Sequence, residues 1–505
     1  MSLRNSWNLG SAYPVSAFIL LHFVLRLVVA QFSNLGVDEV YYTLYAEHLD
    51  WAYFDHPPMV GWLIWLTTAG GFLDTDLFLR LSALITGSIN LFLLYAIGRR
   101  LHSDLCGWLA VVFGAASFYT AIISGVFILP DTPLTTGWLA GLYFFVRYNQ
   151  SHGNKWLLWM GIAIGFAMLS KYIAVFAWGG AGLYWLFKDV KVLKNPFLWG
   201  SIGISAVMFL PVFLWNLNSE YSGLNYHADR VGGSIWPSLR HFFPNFFGQI
   251  FYNNPVNVVL IVIAIFSLFR SPLWFKNSRF FALLCWGLPL VFITLIMALY
   301  NQTLPHWSGP AYYSLLLLAI IYFIEKKPVK WLRKAAVAST VLYMLVIFIG
   351  LLQINYAILP LSTTQEPTQL GKTDFTSDLS AWSQAYKTTD ENLTPNIPII
   401  TAKWFPAAHI QRYVAKENPV YVYGERNDQH HYLVIHQEQP PILAGQDAYY
   451  ITTSQYYREP PQDLVMQFES MSESQIIPLT RNQIVRNNLF VWQLHKAKAN
   501  VSMHP

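Results

Sequence analysis

The chain has 505 residues, 54% hydrophobic and only 12% charged, with a formal net charge of +5. Soluble domains carry about 25% charged residues, so this composition excludes an ordinary soluble globule and points to a membrane protein. No basic stripe or nucleic-acid motif is present, and Cys106 and Cys285 give neither a disulfide framework nor a Cys-based zinc site.

A membrane-spanning helix needs roughly 20 mostly apolar residues. In chain order that rule predicts eleven spans: 12–31, 77–98, 106–128, 132–149, 156–171, 172–187, 196–217, 255–270, 279–299, 306–325 and 331–355. The first has no small-residue cleavage site after it and reads as a retained span. The segment 58–75 follows Pro57, begins at Pro58 and contains Gly70 and Gly71; it reads as a helix lying in the interface.

Lys and Arg gather in alternate loops. One set holds Arg99 and Arg100, Arg147 and Lys155, Lys188, Lys191 and Lys194, Arg270, Lys276 and Arg279, and Lys326 to Lys334. The loops 32–76 and 300–305 have none, and 218–254 has only Arg230 and Arg240. Positive charge accumulates on the cytoplasmic side. The expected N-terminus is therefore cytoplasmic, and everything after 356 is expected outside.

The predicted organisation is a transmembrane catalytic domain over 1–356 and a small extracytoplasmic α/β domain over 357–505. Its first part, roughly 357–394, reads as a loosely ordered linker. "IPIITAKWFPAAHIQRYVA" reads as a strand and a helix, and "PVYVYGE", "AYYITTS" and "LFVWQLH" as strands.

On this assignment Asp38, Glu39, Asp55, His56, Asp131, Lys171 and His306 all map to the outer face. Each alone has a plainer reading. Asp131, before Thr132 and Pro133, suits a helix cap. Lys171 suits a snorkelling side chain. His306 suits an interface residue, and "DHPP" a turn. Together they are harder to dismiss, because ionisable groups at membrane depth normally line a bundle interior or a polar cavity. Carboxylates beside cations also suit general-base chemistry on an anionic substrate.

These motifs resemble the polytopic C-type glycosyltransferases that use polyprenyl-phosphate sugars, most of all the aminoarabinose lipid A transferase and protein O-mannosyltransferase group. The resemblance rests on "VDEVYY", "YFDHPP", Asp131 after the third span, "LSK" at Lys171, and "HWSGP" at His306. It covers most of 1–355 and extends more loosely over the tail. Two positions depart from the aminoarabinose transferases: Tyr41 and His56 replace basic residues that help hold the donor phosphate there.

The resemblance implies transfer of a sugar from an undecaprenyl-phosphate-type donor to an envelope acceptor, lipid A or another glycolipid or glycan. The transfer is expected outside the cytoplasmic (inner) membrane, and direct displacement would invert the anomeric centre. Asp38, Glu39 and Asp131 are the expected catalytic residues, with Asp38 as general base. Tyr42, Tyr53, Asp55, His56, Lys171 and His306 are the expected substrate-binding residues, with Lys171 on the phosphate. No cofactor is expected to be required; the alternative is a Mg²⁺ or Mn²⁺ ion on Asp38, Glu39, Asp55 and His56. "DQHHYLVIH", with His430, His431 and His436, reads as a solvated strand edge rather than a second metal site. Expected partners are the lipid-linked donor, a lipid or glycan acceptor and membrane lipids. The rival functions are a protein O-glycosyltransferase with the same donor type and a lipid or sugar transporter. A non-catalytic assembly protein would leave the Asp-Glu pair without a task.

Overall fold

The computed structural model describes residues 13–219, 223, 236–362, 366–385, 389, 393–415 and 417–504. Residues 1–12 and Arg230 lie outside the described residues. The chain divides into two compact units. The first comprises 1–28, 56–67 and 78–346; the second comprises 29–55, 68–77 and 347–505.

The first unit is helical. Among the described residues of the chain, six helices are long and apolar enough to cross a membrane, or seven if one bent pair counts as a span. Those six are Pro14–Gln31, Asp76–Leu101, Pro196–Asn218, Ser278–Tyr300, Pro305–Lys326 and Val329–Tyr356. The bent pair, Leu239–Tyr252 and Pro255–Phe269, turns through 101° at its break. Eleven spans were expected, the fifth and sixth of them short, and part of the difference has a local cause. The predicted segment 106–128 is a 12-residue helix, Asp104–Ala115, followed by the π-helical turn Tyr119–Ile123. The predicted pair 156–187 is two helices of 15 and 14 residues, Asn154–Met168 and Val175–Lys188. At 1.5 Å per residue, each reaches only about 22 Å. The chain breaks between them at Lys171. The segment 58–75 contributes a nine-residue helix, Met59–Thr67.

A row of buried amides fastens the bent pair from within. Asn254 Nδ2 donates to the carbonyls of Ala116 and Ser339 at 2.9 and 3.0 Å. Asn257 Nδ2 donates to Phe113 O at 2.9 Å. Apolar side chains such as Phe243, Phe247, Val259, Val262 and Phe266 point outward. This is the division expected where apolar chains meet lipid and polar groups must be satisfied internally.

The second unit carries a six-stranded sheet, built from β1 (Ile399–Thr401), β2 (Val420–Val422), β3 (Ala448–Thr453), β4 (Phe468–Met471), β5 (Gln475–Arg481) and β6 (Ile484–Ala497). The order is β2-β1-β3-β6-β4, with β5 also paired to β6. Strand β1 runs parallel to β2 and β3, so its connection to β2 must cross over, and the helix Trp404–Tyr413 makes that crossover. Strand β6 pairs antiparallel with β3, β4 and β5. Ile400, Tyr421, Tyr450, Phe468, Phe490 and Trp492 form the core of this sheet. The stretch expected as a loose linker instead carries 3-10 turns at Pro367–Gln369, Ser377–Leu379 and Trp382–Gln384. A buried ion pair, Arg486 to Asp374 at 2.7 Å, holds it.

Candidate active site

In the first unit, Asp131 is the opening residue of the helix Asp131–Ser151. Its carboxylate does not cap that helix. It turns instead to Lys171, whose Nζ lies 2.7 Å from Asp131 Oδ2. The Tyr119 hydroxyl donates to Oδ1 at 3.0 Å, and His306 Nε2 stands 3.8 Å from Oδ2. Three predicted residues from three segments therefore meet. Lys171 is 7% exposed and does not snorkel to solvent. An ammonium has three N–H donors. One is used by Asp131, which leaves two on a buried cation for an anionic group.

The local chain explains the convergence. Lys171 sits in the break between two short helices, where its own N–H bonds back to Ala167 O at 3.1 Å. Two residues earlier, Leu169 O accepts from Met59 N at 3.0 Å. That bond ties the helix following "DHPP" to the lysine loop. His306 lies in the 3-10 turn Pro305–Ser308. Next comes Gly309, where a Cβ would fall 2.2 Å from the Tyr119 ring. Only glycine lets that ring, and so the hydroxyl on Asp131, occupy its place. His56 is half-buried at the start of this unit's second segment.

The other candidates lie in the second unit. The helix Val37–Glu47 opens with Asp38 and Glu39. Asp38 is exposed. Glu39 is buried, and its Oε2 accepts from Gly36 N at 2.9 Å, closing the first turn. Tyr41 and Tyr45, one turn apart, both donate to Asp55 Oδ1, Tyr41 at 3.1 Å. Tyr53 is fully buried; its ring stacks on Tyr45 at 3.7 Å and its hydroxyl donates to Tyr45 O at 2.6 Å. Tyr42 is also buried, beside Tyr41 and Tyr45. So Tyr41, which stands where the aminoarabinose transferases carry a base, here orients a carboxylate.

The histidine cluster is a correction. His430 and His431 are buried, not on a strand edge; His431 packs edge-on against the Tyr45 and Tyr53 rings at 5.2 and 5.0 Å. His436 Nε2 accepts from Val422 N at 3.1 Å.

Residues 55–215 match the family described as dolichyl-phosphate-mannose-protein mannosyltransferase. That match holds Asp55, His56, Asp131 and Lys171. A lipid A galacturonosyltransferase, RgtD of Rhizobium johnstonii, is 24% identical over 315 residues, which is 61% of this chain. The match spans 66% of that relative, just under two-thirds of its length. Among solved structures, ArnT from Cupriavidus metallidurans bound to undecaprenyl phosphate superposes with a TM-score of 0.64 at 13% identity. The superposition covers 95% of this chain and 98% of that one. The apo form of ArnT gives the same score at 14% identity.

The fold is that of the C-type glycosyltransferases.

Among the described residues, no three His, Cys, Asp or Glu side chains gather as ligands for an ion. Glu39 is turned to its helix terminus and Asp55 to two phenols.

Tyr45 and Tyr119 were the residues missed from sequence. Tyr45 could have been found, because it lies four residues after Tyr41 on the same helical face. Tyr119 carries no local signal; only the fold brings it to Asp131.

Proposed function

We propose that the chain is an integral-membrane glycosyltransferase that moves a sugar from an undecaprenyl-phosphate-type donor to an envelope acceptor. The observation that carries this reading is the buried Lys171 ammonium, fixed by Asp131 and left with two N–H donors. A phosphate that becomes a leaving group needs such a preset cation, and a buried one acts more strongly than one in water. Lipid A or another envelope glycolipid or glycan is the acceptor. RgtD, named a lipid A galacturonosyltransferase, and ArnT, captured with undecaprenyl phosphate, support this choice.

The reaction is a direct displacement. The acceptor oxygen attacks the anomeric carbon as the bond from that carbon to the phosphate oxygen breaks. Asp38 takes the hydroxyl proton, and polyprenyl phosphate departs with the electron pair. Attack opposite the leaving group inverts the anomeric centre. His56 and His306 assist on the phosphate side. The site faces the periplasm, the N-terminus is cytoplasmic, and the tail is periplasmic in the inner membrane.

The match to a protein mannosyltransferase family favours a second reading, with a protein hydroxyl as acceptor. The test is transfer of label from polyprenyl-linked sugars in purified membranes, followed by mass spectrometry of envelope lipids and proteins. Asp38→Asn conserves volume, and the side chain is exposed, so the fold should survive while transfer falls by about 10²–10⁴-fold. Retention of more than about a tenth of turnover removes Asp38 as the base. Movement of lipid across the bilayer without transfer would instead favour the transporter.

A further inference from the structure

Arg26 lies in the helix Tyr13–Gln31 and is fully buried. A guanidinium inside an apolar span is costly and needs internal partners. Its Nη1 donates to Gly125 O at 3.1 Å, Nη2 to Ser88 Oγ at 2.6 Å and Nε to His22 O at 3.4 Å. None of these acceptors is a carboxylate. The surrounding chain is shaped to admit the side chain: a Cβ at Gly87 would fall 1.8 Å from Nη1 and 2.9 Å from Gly125 Cα.

Gly125 belongs to the stretch that leads to Asp131. It begins with the π-helical turn Tyr119–Ile123, a rare form found frequently at functional sites. Ser124 Oγ donates to Tyr119 O at 3.0 Å, and Thr132 Oγ1 to Phe127 O at 3.0 Å. Arg80, also fully buried, stands 5.5 Å from the centre of the Phe127 ring. Tyr119 then returns to Asp131 through its hydroxyl. The stretch is thus a closed unit held from outside by Arg26 at Gly125 and by Arg80 at Phe127.

We propose that Arg26 is a positioning residue: by holding the Gly125 carbonyl it fixes the 119–131 segment, and through it the Asp131 carboxylate that sets Lys171. The proposal rests on the reading of Lys171 as the phosphate contact. A misplacement of about 1 Å at such a site can cost 10²-fold in rate.

The test uses the full-length protein in lipid nanodiscs, as Arg26→Lys, Arg26→Met and Ser88→Ala. Hydrogen–deuterium exchange is followed over 119–131 and over the β-sheet, and turnover is measured with a polyprenyl-phosphate sugar. Exchange over 119–131 should rise about tenfold with the sheet unchanged, and kcat/KM for the donor should fall by about 10²-fold, with a much smaller change in the response to acceptor. In an Asp131→Asn background, Arg26→Lys should add less than about a threefold further loss, because coupled residues are not additive. A general structural role would instead raise exchange everywhere and multiply with Asp131→Asn; either result overturns the proposal, as does unchanged exchange over 119–131. Should Arg26→Met fail to fold, Arg26→Lys and Ser88→Ala decide. If the parent protein transfers no sugar, the functional reading falls while the exchange result still judges Arg26.

Discussion

Asp131 in the first unit and Asp55 in the second are both buried aspartates, answered in different ways. Asp131 has an ammonium at 2.7 Å; Asp55 has the hydroxyls of Tyr41 and Tyr45. A cation neutralises the charge and remains able to hold a second anion. Phenols satisfy lone pairs but supply no net charge. The first arrangement can serve chemistry on a phosphate, whereas the second stiffens the helix Val37–Glu47 that carries Asp38.

The contrast breaks most sharply at Lys171. Lys171→Met leaves Asp131 buried without its cation, and stranding one partner of a buried pair costs about 3–5 kcal/mol. Thermal unfolding of the purified protein should fall accordingly, and donor-dependent transfer should vanish. Lys171→Gln keeps a hydrogen bond but not the charge. It should weaken the response to donor far more than the response to acceptor, as donor titration will show. An unchanged donor response would place Lys171 outside the site.

A smaller effect is expected at Asp55. Tyr45→Phe removes one bond to a buried carboxylate, worth about 1.5–3 kcal/mol. Unfolding by denaturant measures the loss. Equal losses from Tyr45→Phe and from an exposed tyrosine would show that Asp55 does not depend on its phenols.

A third effect lies in acid. Burial, aided by the nearby His48, pushes His431 down to about 3 from its ordinary value near 6.5. A histidine held neutral in this way contributes stability above about pH 6.5 and loses it as pH falls toward about 3. His431→Phe keeps an aromatic ring against Tyr45 and Tyr53. It should flatten the acid side of the stability curve by an order of a few kcal/mol, read by thermal unfolding from pH 7 to pH 4. An acid limb identical to that of the parent would locate the pH dependence elsewhere.

Much of the first unit's cluster was legible, because an ionisable residue at the edge of an apolar run stands out. Asp131, Lys171 and His306 stood out in this way. Their tyrosine partner did not, since a tyrosine in an aromatic-rich chain carries no such contrast. The expected spans part at Lys171, where the helix does break; the expected span 106–128 instead runs past the end of the helix Asp104–Ala115, because a hydropathy window passes over such a break. In the tail, "QIIPLTR" escaped notice because Pro478 argues against a strand, yet β5 pairs with β6 alone, where a proline is tolerated. His430 and His431 looked solvated because polar residues flank them; their burial depends on tyrosines hundreds of positions away in the chain.

The contact between Gly309 and Tyr119 makes two distant codons behave as one. Any side chain at 309 would displace the ring 190 positions earlier, since a Cβ there falls 2.2 Å from it. Gly309→Ala should therefore be rejected in a library selected for growth or for transfer. It should reappear only in clones where position 119 has shrunk, and those clones will have given up the phenol on Asp131. The route from this sequence to an alanine at 309 thus passes through a weakened enzyme.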